Sequence, residues 1–136
     1  MLLFATYCSA SKEAHAGDMP AAQRYISDRI QGVYALANGA EARFGILSGQ
    51  FGLLAPDHPI PFYDHLLQPD EMDAMVERVS GTLGEWEITE VRWFSVAFEM
   101  DPNVRRYRDV MSRAAEKAGA TFTLELWEPV GTLGIV

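Results

Sequence analysis

Apolar and polar positions along the chain follow two periods, and the switching between them outlines the elements. Leu2 to Tyr7 is an almost unbroken apolar run, the pattern of a strand covered on both faces. From about Pro20, with Asp18 or Met19 just ahead of it, the spacing becomes helical. Ala22, Tyr25, Ile26, Ile30, Val33 and Ala37 form an inward stripe that Asn38-Gly39 stops. Arg43 to Ser48 reads as a second strand, followed by a long Gly- and Pro-punctuated loop. Asp70 then stands where an N-cap belongs, ahead of a helix through Met72, Met75, Val76 and Val79 that ends near Gly81 to Gly84. Ile88 to Phe98 is a third strand. Asp101-Pro102 offers an N-cap and a first-turn proline to a helix whose Val104, Tyr107, Met111, Ala114, Ala115 and Ala118 face inward until Gly119. Thr121 to Trp127 is a fourth strand, and residues 128–136 form an unassigned tail.

Strand and helix signals alternate without a repeat or low-complexity tract, which predicts an α/β fold with a mostly parallel sheet of about four strands. The 136 residues suffice for one core, so a single domain over 1–136 is expected. Only Cys8 is available for a disulfide, which fits a reducing compartment. The N-terminal apolar run lacks a basic leader and is too short for a signal peptide or a membrane span, so a cytoplasmic protein without a membrane partner is expected.

The formal net charge of −8 argues against broad, nonspecific nucleic-acid binding, which depends on Lys and Arg neutralising phosphates. A local patch stays open, because Arg105, Arg106, Arg108, Arg113 and Lys117 share one predicted helix. A solvated helix face, partly offset by Asp101, Asp109 and Glu116, explains the same residues.

In a parallel sheet the loops leaving the strands' carboxyl ends converge where strand order reverses, and ligands bind there. That rule gathers Cys8-Ser9-Ala10-Ser11-Lys12, the loop Ser48 to Asp64, and Glu99-Met100-Asp101. Ser9, Ser11 and Lys12 offer hydroxyls and an ammonium for a phosphate or sugar phosphate. Gly49 and Gly52 allow a tight turn or a close backbone approach, while Pro56, Pro59 and Pro61 lower the entropy of ordering the loop. Phe51 and Tyr63 provide aromatic surface for stacking on a base. Asp57 and Asp64 could orient water or stabilise a cationic sugar, or simply cap turns. Cys8 beside Lys12 could be a nucleophile or a buried packing residue. His58 and His65 each follow one of the two aspartates and could make a weak metal site or an acid/base pair, but their separation matches no metal-ligand spacing, and His15 lies in a polar loop. Neither a Walker A sequence nor Gly-x-Gly-x-x-Gly is present, which disfavours classical ATP or dinucleotide binding, and the expectation is a protein with no metal and no cofactor.

The run Ile46-Leu47-Ser48-Gly49, with Gly52, Leu54, Pro56, Asp57, Ile60 and Tyr63, resembles the YaaA-type peroxide-stress proteins and a related bacterial and phage domain of unknown function. More distantly it resembles a domain of archaeosine synthase with a uracil-DNA-glycosylase-like fold. Cys8-Ser9-x-Ser11-Lys12 and Tyr25 extend the likeness, which spans roughly Leu3 to Leu66 in motifs and reaches Trp127 in element order. Phe51 replaces the family's tyrosine, which removes a proton donor but keeps an apolar ring, and Phe62 stands where a proline is expected. The chain is also much shorter than the YaaA proteins. The resemblance implies a three-layer α/β/α sandwich of uracil-DNA-glycosylase-like type and a link to nucleic-acid damage or base modification, with no established reaction.

The combined expectation is a domain that binds a nucleotide, nucleoside or nucleobase. The ligand-binding candidates are Ser9, Ser11, Lys12, Ser48, Gly49, Phe51, Gly52 and Tyr63, and the catalytic candidates are Asp64 and Asp57. Two alternatives are an N-glycosidase-type enzyme and a noncatalytic interaction protein.

Overall fold

Strand β1, Leu2–Tyr7, is the middle strand of the sheet, and its alternation decides which element covers which face. Leu3, Ala5 and Tyr7 enter one core cluster, whereas Phe4 enters the other. The computed structural model describes residues 1–97 and 100–128. After β1 come β2 (Met19–Pro20), α1 (Ala21–Arg24), α2 (Asp28–Gly39), β3 (Arg43–Ser48), β4 (Gly52–Leu54) and β5 (Pro59–Ile60). A 3-10 turn (Pro69–Glu71), α3 (Met72–Glu85), β6 (Glu90–Ser95), α4 (Val104–Ala118) and β7 (Thr121–Leu126) complete the order.

The sheet is α/β and mostly parallel, with order β4-β3-β1-β6-β7. β1 runs parallel to β3, with Tyr7 opposite Leu47, and parallel to β6, with Thr6 opposite Phe94. β6 pairs in parallel with β7, and only β4 is antiparallel, folding back so that Gly52 faces Ser48. The chain steps from β1 outward to β3, then crosses back to β6 and β7. Strand order therefore reverses at β1, and a crevice opens beyond its carboxyl end. Ile30, Val33 and Ala37 of α2 pack with Phe4, Phe44, Ile46 and Phe94. Val76, Val79 and Leu83 of α3 and Val110, Met111 and Ala114 of α4 pack with Leu3, Val91 and Trp93.

Several elements depart from the sequence pattern. The helix expected from Pro20 to Ala37 is broken: Tyr25 is extended, and Ser27 caps α2 by accepting a hydrogen bond from the Ile30 N–H at 3.2 Å. Ile26 falls in that break and is 53% exposed, so it leaves the inward stripe. The long loop after β3 is not free of secondary structure. Gly52, at φ +80°, closes a hairpin into β4, and β5 pairs with β2 through Met19 and Ile60. The sheet thus has five strands among the described residues.

At the start of α3 the cap is Gln68 of the preceding 3-10 turn, not Asp70, and it is answered by the Glu71 side chain in a capping box. The helix continues through Gly81 and Gly84 to Glu85, and the chain turns at Glu87, φ 57°. Asn103, not Asp101, occupies the N-cap position of α4, while Asp101 Oδ1 accepts the Asn103 N–H at 3.1 Å. β6 is shorter than Ile88 to Phe98, β7 stops one residue before Trp127, and Phe98, Glu99 and the tail 129–136 lie outside the described residues.

Candidate functional site

A cavity of about 420 Å³ lies beyond the end of β1, where the strand order reverses. Its walls come from segments far apart in the chain: Tyr7 to Ala10 and Lys12 after β1, Arg29 in the first turn of α2, Asp64 to Leu66, and Asp101, Asn103, Val104 and Tyr107 around the start of α4. The volume falls within the range of small-molecule pockets.

Arg29 is the polar floor of this site. The Ser27 cap starts α2 so that Arg29 points back at the end of β1, where its Nη1 donates to the Tyr7 carbonyl at 2.6 Å and to Thr6 Oγ1 at 2.5 Å. Nη2 donates to the Cys8 carbonyl at 3.2 Å, and the guanidinium lies 3.5 Å from the centre of the Tyr7 ring. Only 9% of the residue is exposed, and among the described residues no carboxylate comes within ion-pair distance. Burial pulls the Arg29 pKa down; Tyr7, Cys8 and Asp101 pull it back up. The charge is held by neutral carbonyl dipoles and a ring face, an arrangement that leaves room for an anion.

The opposite wall is pinned by α4. Tyr107 Oη accepts the Leu67 N–H at 3.1 Å, and Arg106 Nη1 donates to the Leu67 carbonyl at 3.0 Å. With both backbone groups of Leu67 held, Asp64, His65 and Leu66 are presented to the cavity. His65 Nε2 meets both Glu71 carboxylate oxygens, at 2.8 and 2.9 Å.

The loop after β1 is zipped onto the end of α1. Ile26 N–H donates to the Ser11 carbonyl at 2.9 Å, Glu13 N–H to the Arg24 carbonyl at 2.7 Å, and Ser9 Oγ to the Ser11 carbonyl at 2.8 Å. Fully buried Arg24 donates to the carbonyls of Glu13, His15, Gly17 and Ile60, tying this loop to β5. Lys12 is thereby held with its Nζ 4.6 Å from the centre of the Tyr63 ring, and it has no carboxylate partner among the described residues.

Of the candidates from the sequence, Ser9, Lys12 and Asp64 line the cavity, and Asp101 lines it as well. Ser11, Ser48, Gly49, Phe51, Gly52 and Tyr63 are not among its lining residues, and most of them build the frame behind it. Ser48 Oγ accepts the N–H groups of Gln50 and Phe51 at 3.1 and 3.0 Å and meets Tyr63 Oη at 2.8 Å; Tyr63 Oη meets Tyr25 Oη at 2.5 Å. Burial pushes the Tyr25, Tyr63 and Tyr107 hydroxyls up, and the negative charge Cys8 carries when ionised would push the same way, so all three remain neutral in the physiological range. The Phe51 and Tyr63 rings meet edge to face, with their centroids 4.9 Å apart. Gly49 is packed between Tyr107 and Leu67, and Gly52 faces Arg78. Asp57 is exposed in the turn before β5, away from the lining residues.

Arg29, Tyr7 and Tyr107 were missed as site residues. Arg29 carried a signal, since it lies four residues before Val33 and four after Tyr25, on the buried ridge of the helix. A lone arginine there marks a polar group that the fold must bring inside. The basic helix is largely engaged within the chain: Arg113 pairs with Asp73 at 2.7 Å, Lys117 with Glu77, and Arg108 with Asp109 at 2.7 Å. Two of these pairs bridge α4 to α3, which favours the solvated-face reading. Among the described residues there is no group of three or more His, Cys, Asp or Glu that could hold a metal, and no helix is long and apolar enough to cross a membrane. Comparison with protein-family models, curated proteins and solved structures finds no match.

Proposed function

We propose that this chain binds a small nucleotide-, nucleoside- or nucleobase-like molecule in the cavity at the end of β1. The observation that carries this reading is the grouping of the buried Arg29, which has no ion-pair partner among the described residues, with Lys12, Asp64 and Asp101 around one 420 Å³ cavity at the strand-order reversal. Charged acceptors and donors on facing walls suit a ligand with an anionic end and a hydroxyl- or amine-bearing body. The three-layer, uracil-DNA-glycosylase-like architecture belongs to the same proposal. It is supported by the packing of α2 on one sheet face and of α3 and α4 on the other, together with the motif resemblance around Ser48 to Tyr63. A cytoplasmic setting is part of the reading and rests on the lone Cys8.

Cys8 lines the cavity and is the chain's sole cysteine, so its alkylation reports occupancy. Nucleosides or nucleotides should raise the melting temperature and slow Cys8 labelling by iodoacetamide together. A panel of nucleobases, nucleosides and nucleotides that leaves both unchanged overturns the proposal.

A second reading, N-glycosidic bond cleavage, is favoured by one observation: both Asp64 and Asp101 line the cavity. One carboxylate would orient water and the other stabilise the cationic sugar. Chromatographic detection of free base from a nucleoside or modified oligonucleotide, abolished in Asp64→Asn, supports it. Binding without base release eliminates it.

A further inference from the structure

We propose that Arg29 and Lys12 form an anion subsite that takes the phosphoryl group of a nucleoside monophosphate, an inference that rests on the nucleotide reading of the cavity. Both cations line the cavity, and neither has a carboxylate within ion-pair distance among the described residues. Arg29 is the deeper of the two. Its contacts are to the carbonyls of Tyr7 and Cys8, the Thr6 hydroxyl and the Tyr7 ring, all of which lower the cost of burying a cation without cancelling its charge.

The carboxylates of the cavity do not serve as counterions in the same way. Asp64 is exposed, and Asp101 is half-exposed with one oxygen accepting the Asn103 N–H. Charges at such a rim are hydrated and screened, whereas a charge on the floor acts through a lower effective dielectric. The floor of the cavity thus carries a buried positive charge, on which Asp101 acts from the rim, although the chain as a whole carries −8. Lys12 approaches from the loop side, where its Nζ is held by the Tyr63 ring and, at 3.4 Å, by the Ala10 carbonyl. Two cations without an ion-pair partner among the described residues, one a planar fork and one a compact point charge, match a phosphoryl dianion better than a single carboxylate. Asp101 and Asp64 are then left to accept from the hydroxyls or exocyclic amine of the same ligand.

The experiment measures protection of Cys8 from iodoacetamide, a neutral reagent, by inorganic phosphate, acetate, a nucleoside and its 5′-monophosphate at constant ionic strength. The monophosphate is expected to protect at concentrations at least about tenfold below the nucleoside, and phosphate should protect where acetate does not. Lys12→Gln should narrow the ratio between monophosphate and nucleoside to about threefold or less, and Lys12→Arg should restore it. Lys12 lies on the loop after β1, outside both core clusters, so its exchange leaves the core intact. Equal protection by nucleoside and monophosphate, or a ratio unchanged in Lys12→Gln, overturns the phosphoryl subsite while leaving the nucleotide reading standing. Protection by phosphate without protection by either nucleoside form overturns the nucleotide reading and retains the anion subsite. No protection by any of the four overturns both.

Discussion

Ser48 and Tyr63 are 15 positions apart in the chain, yet their hydroxyls stand 2.8 Å from each other. Ser48 ends β3 and also accepts the Gln50 and Phe51 N–H groups, which leaves its own hydroxyl proton for Tyr63, and the Tyr63 hydroxyl in turn meets that of Tyr25. One side chain thus holds the hairpin turn and the return of the loop. Tyr63→Phe removes the contacts to both Ser48 and Tyr25 and should lower stability by about 1–2 kcal/mol, the usual cost of two partly buried hydrogen bonds. Ser48→Ala removes the acceptor of two amides as well and should cost about 2–3 kcal/mol. Urea midpoints of the two variants check the order; equal midpoints would show that the amides find other partners.

Arg24 predicts a second effect, at a distance from the cavity. Its guanidinium serves the carbonyls of Glu13, His15, Gly17 and Ile60, and Arg24→Met leaves all of them without that donor. A loss of about 3 kcal/mol is expected, less than four full penalties because residues 13–17 can turn to water. Arg24→Lys should recover only part of it, since an ammonium cannot span the same carbonyls. Amide hydrogen exchange should accelerate in residues 13–17 before it does in β3.

The two loop glycines fail differently when given a side chain. Gly52→Ala meets only the flexible Arg78 side chain, at 3.2 Å, so its cost is the positive φ, about 1–2 kcal/mol. A Cβ at Gly49 would stand 2.9 Å from the Leu67 backbone nitrogen and 2.8 Å from Tyr107 Oη, inside the contact that pins the cavity wall. Gly49→Ala should therefore cost about 1–3 kcal/mol through overpacking and should also loosen Cys8 protection by ligand, whereas Gly52→Ala should leave protection intact. Thermal melts paired with Cys8 labelling separate the two.

Glu71 gives the pH prediction. The Gln68 backbone N–H, and after it the hydrogen bond from His65, hold its carboxyl below the usual glutamate range. A depressed folded-state pKa contributes stability above the unfolded value, roughly pH 4.3, and that contribution is lost as pH falls through the folded value. Wild type should exceed Glu71→Gln in melting temperature at pH 6, and the gap should close below about pH 4. A gap that persists at pH 3 would assign the difference to the cap geometry alone.

Local chemistry made much of the fold legible. The apolar runs at Leu3 and Phe44, the stripe of Ile30, Val33 and Ala37, and Gly119 at φ 77° each state a period or a stop that depends on near neighbours. What misled was competition between signals of similar strength. Ser27 offered a cap inside an apolar stripe, and a side-chain oxygen facing the Ile30 N–H outweighed the continuation of one helix through Ile26. Gly81 lies on an exposed turn that helix propagation crosses at a cost of only about 1 kcal/mol, and α3 ends at Glu85, one residue past Gly84.

The sequence by itself determined the α/β alternation, the mostly parallel pairing and the edge at which Ser9, Lys12, Asp64 and Asp101 would meet, because periodicity and the crossover rule act on the whole chain. Only the tertiary structure decided that Ser48, Phe51 and Tyr63 support the site from behind while Arg29, Tyr7 and Tyr107 line it. Whether a hydroxyl or a ring faces a cavity or a neighbour depends on partners brought together across the fold: Tyr25 reaches Tyr63, and Tyr107 reaches Leu67, 40 positions away. Such contacts leave no period in the chain. A buried arginine does, and its position on the inward ridge of α2 was the one mark of the site floor that the linear pattern carried.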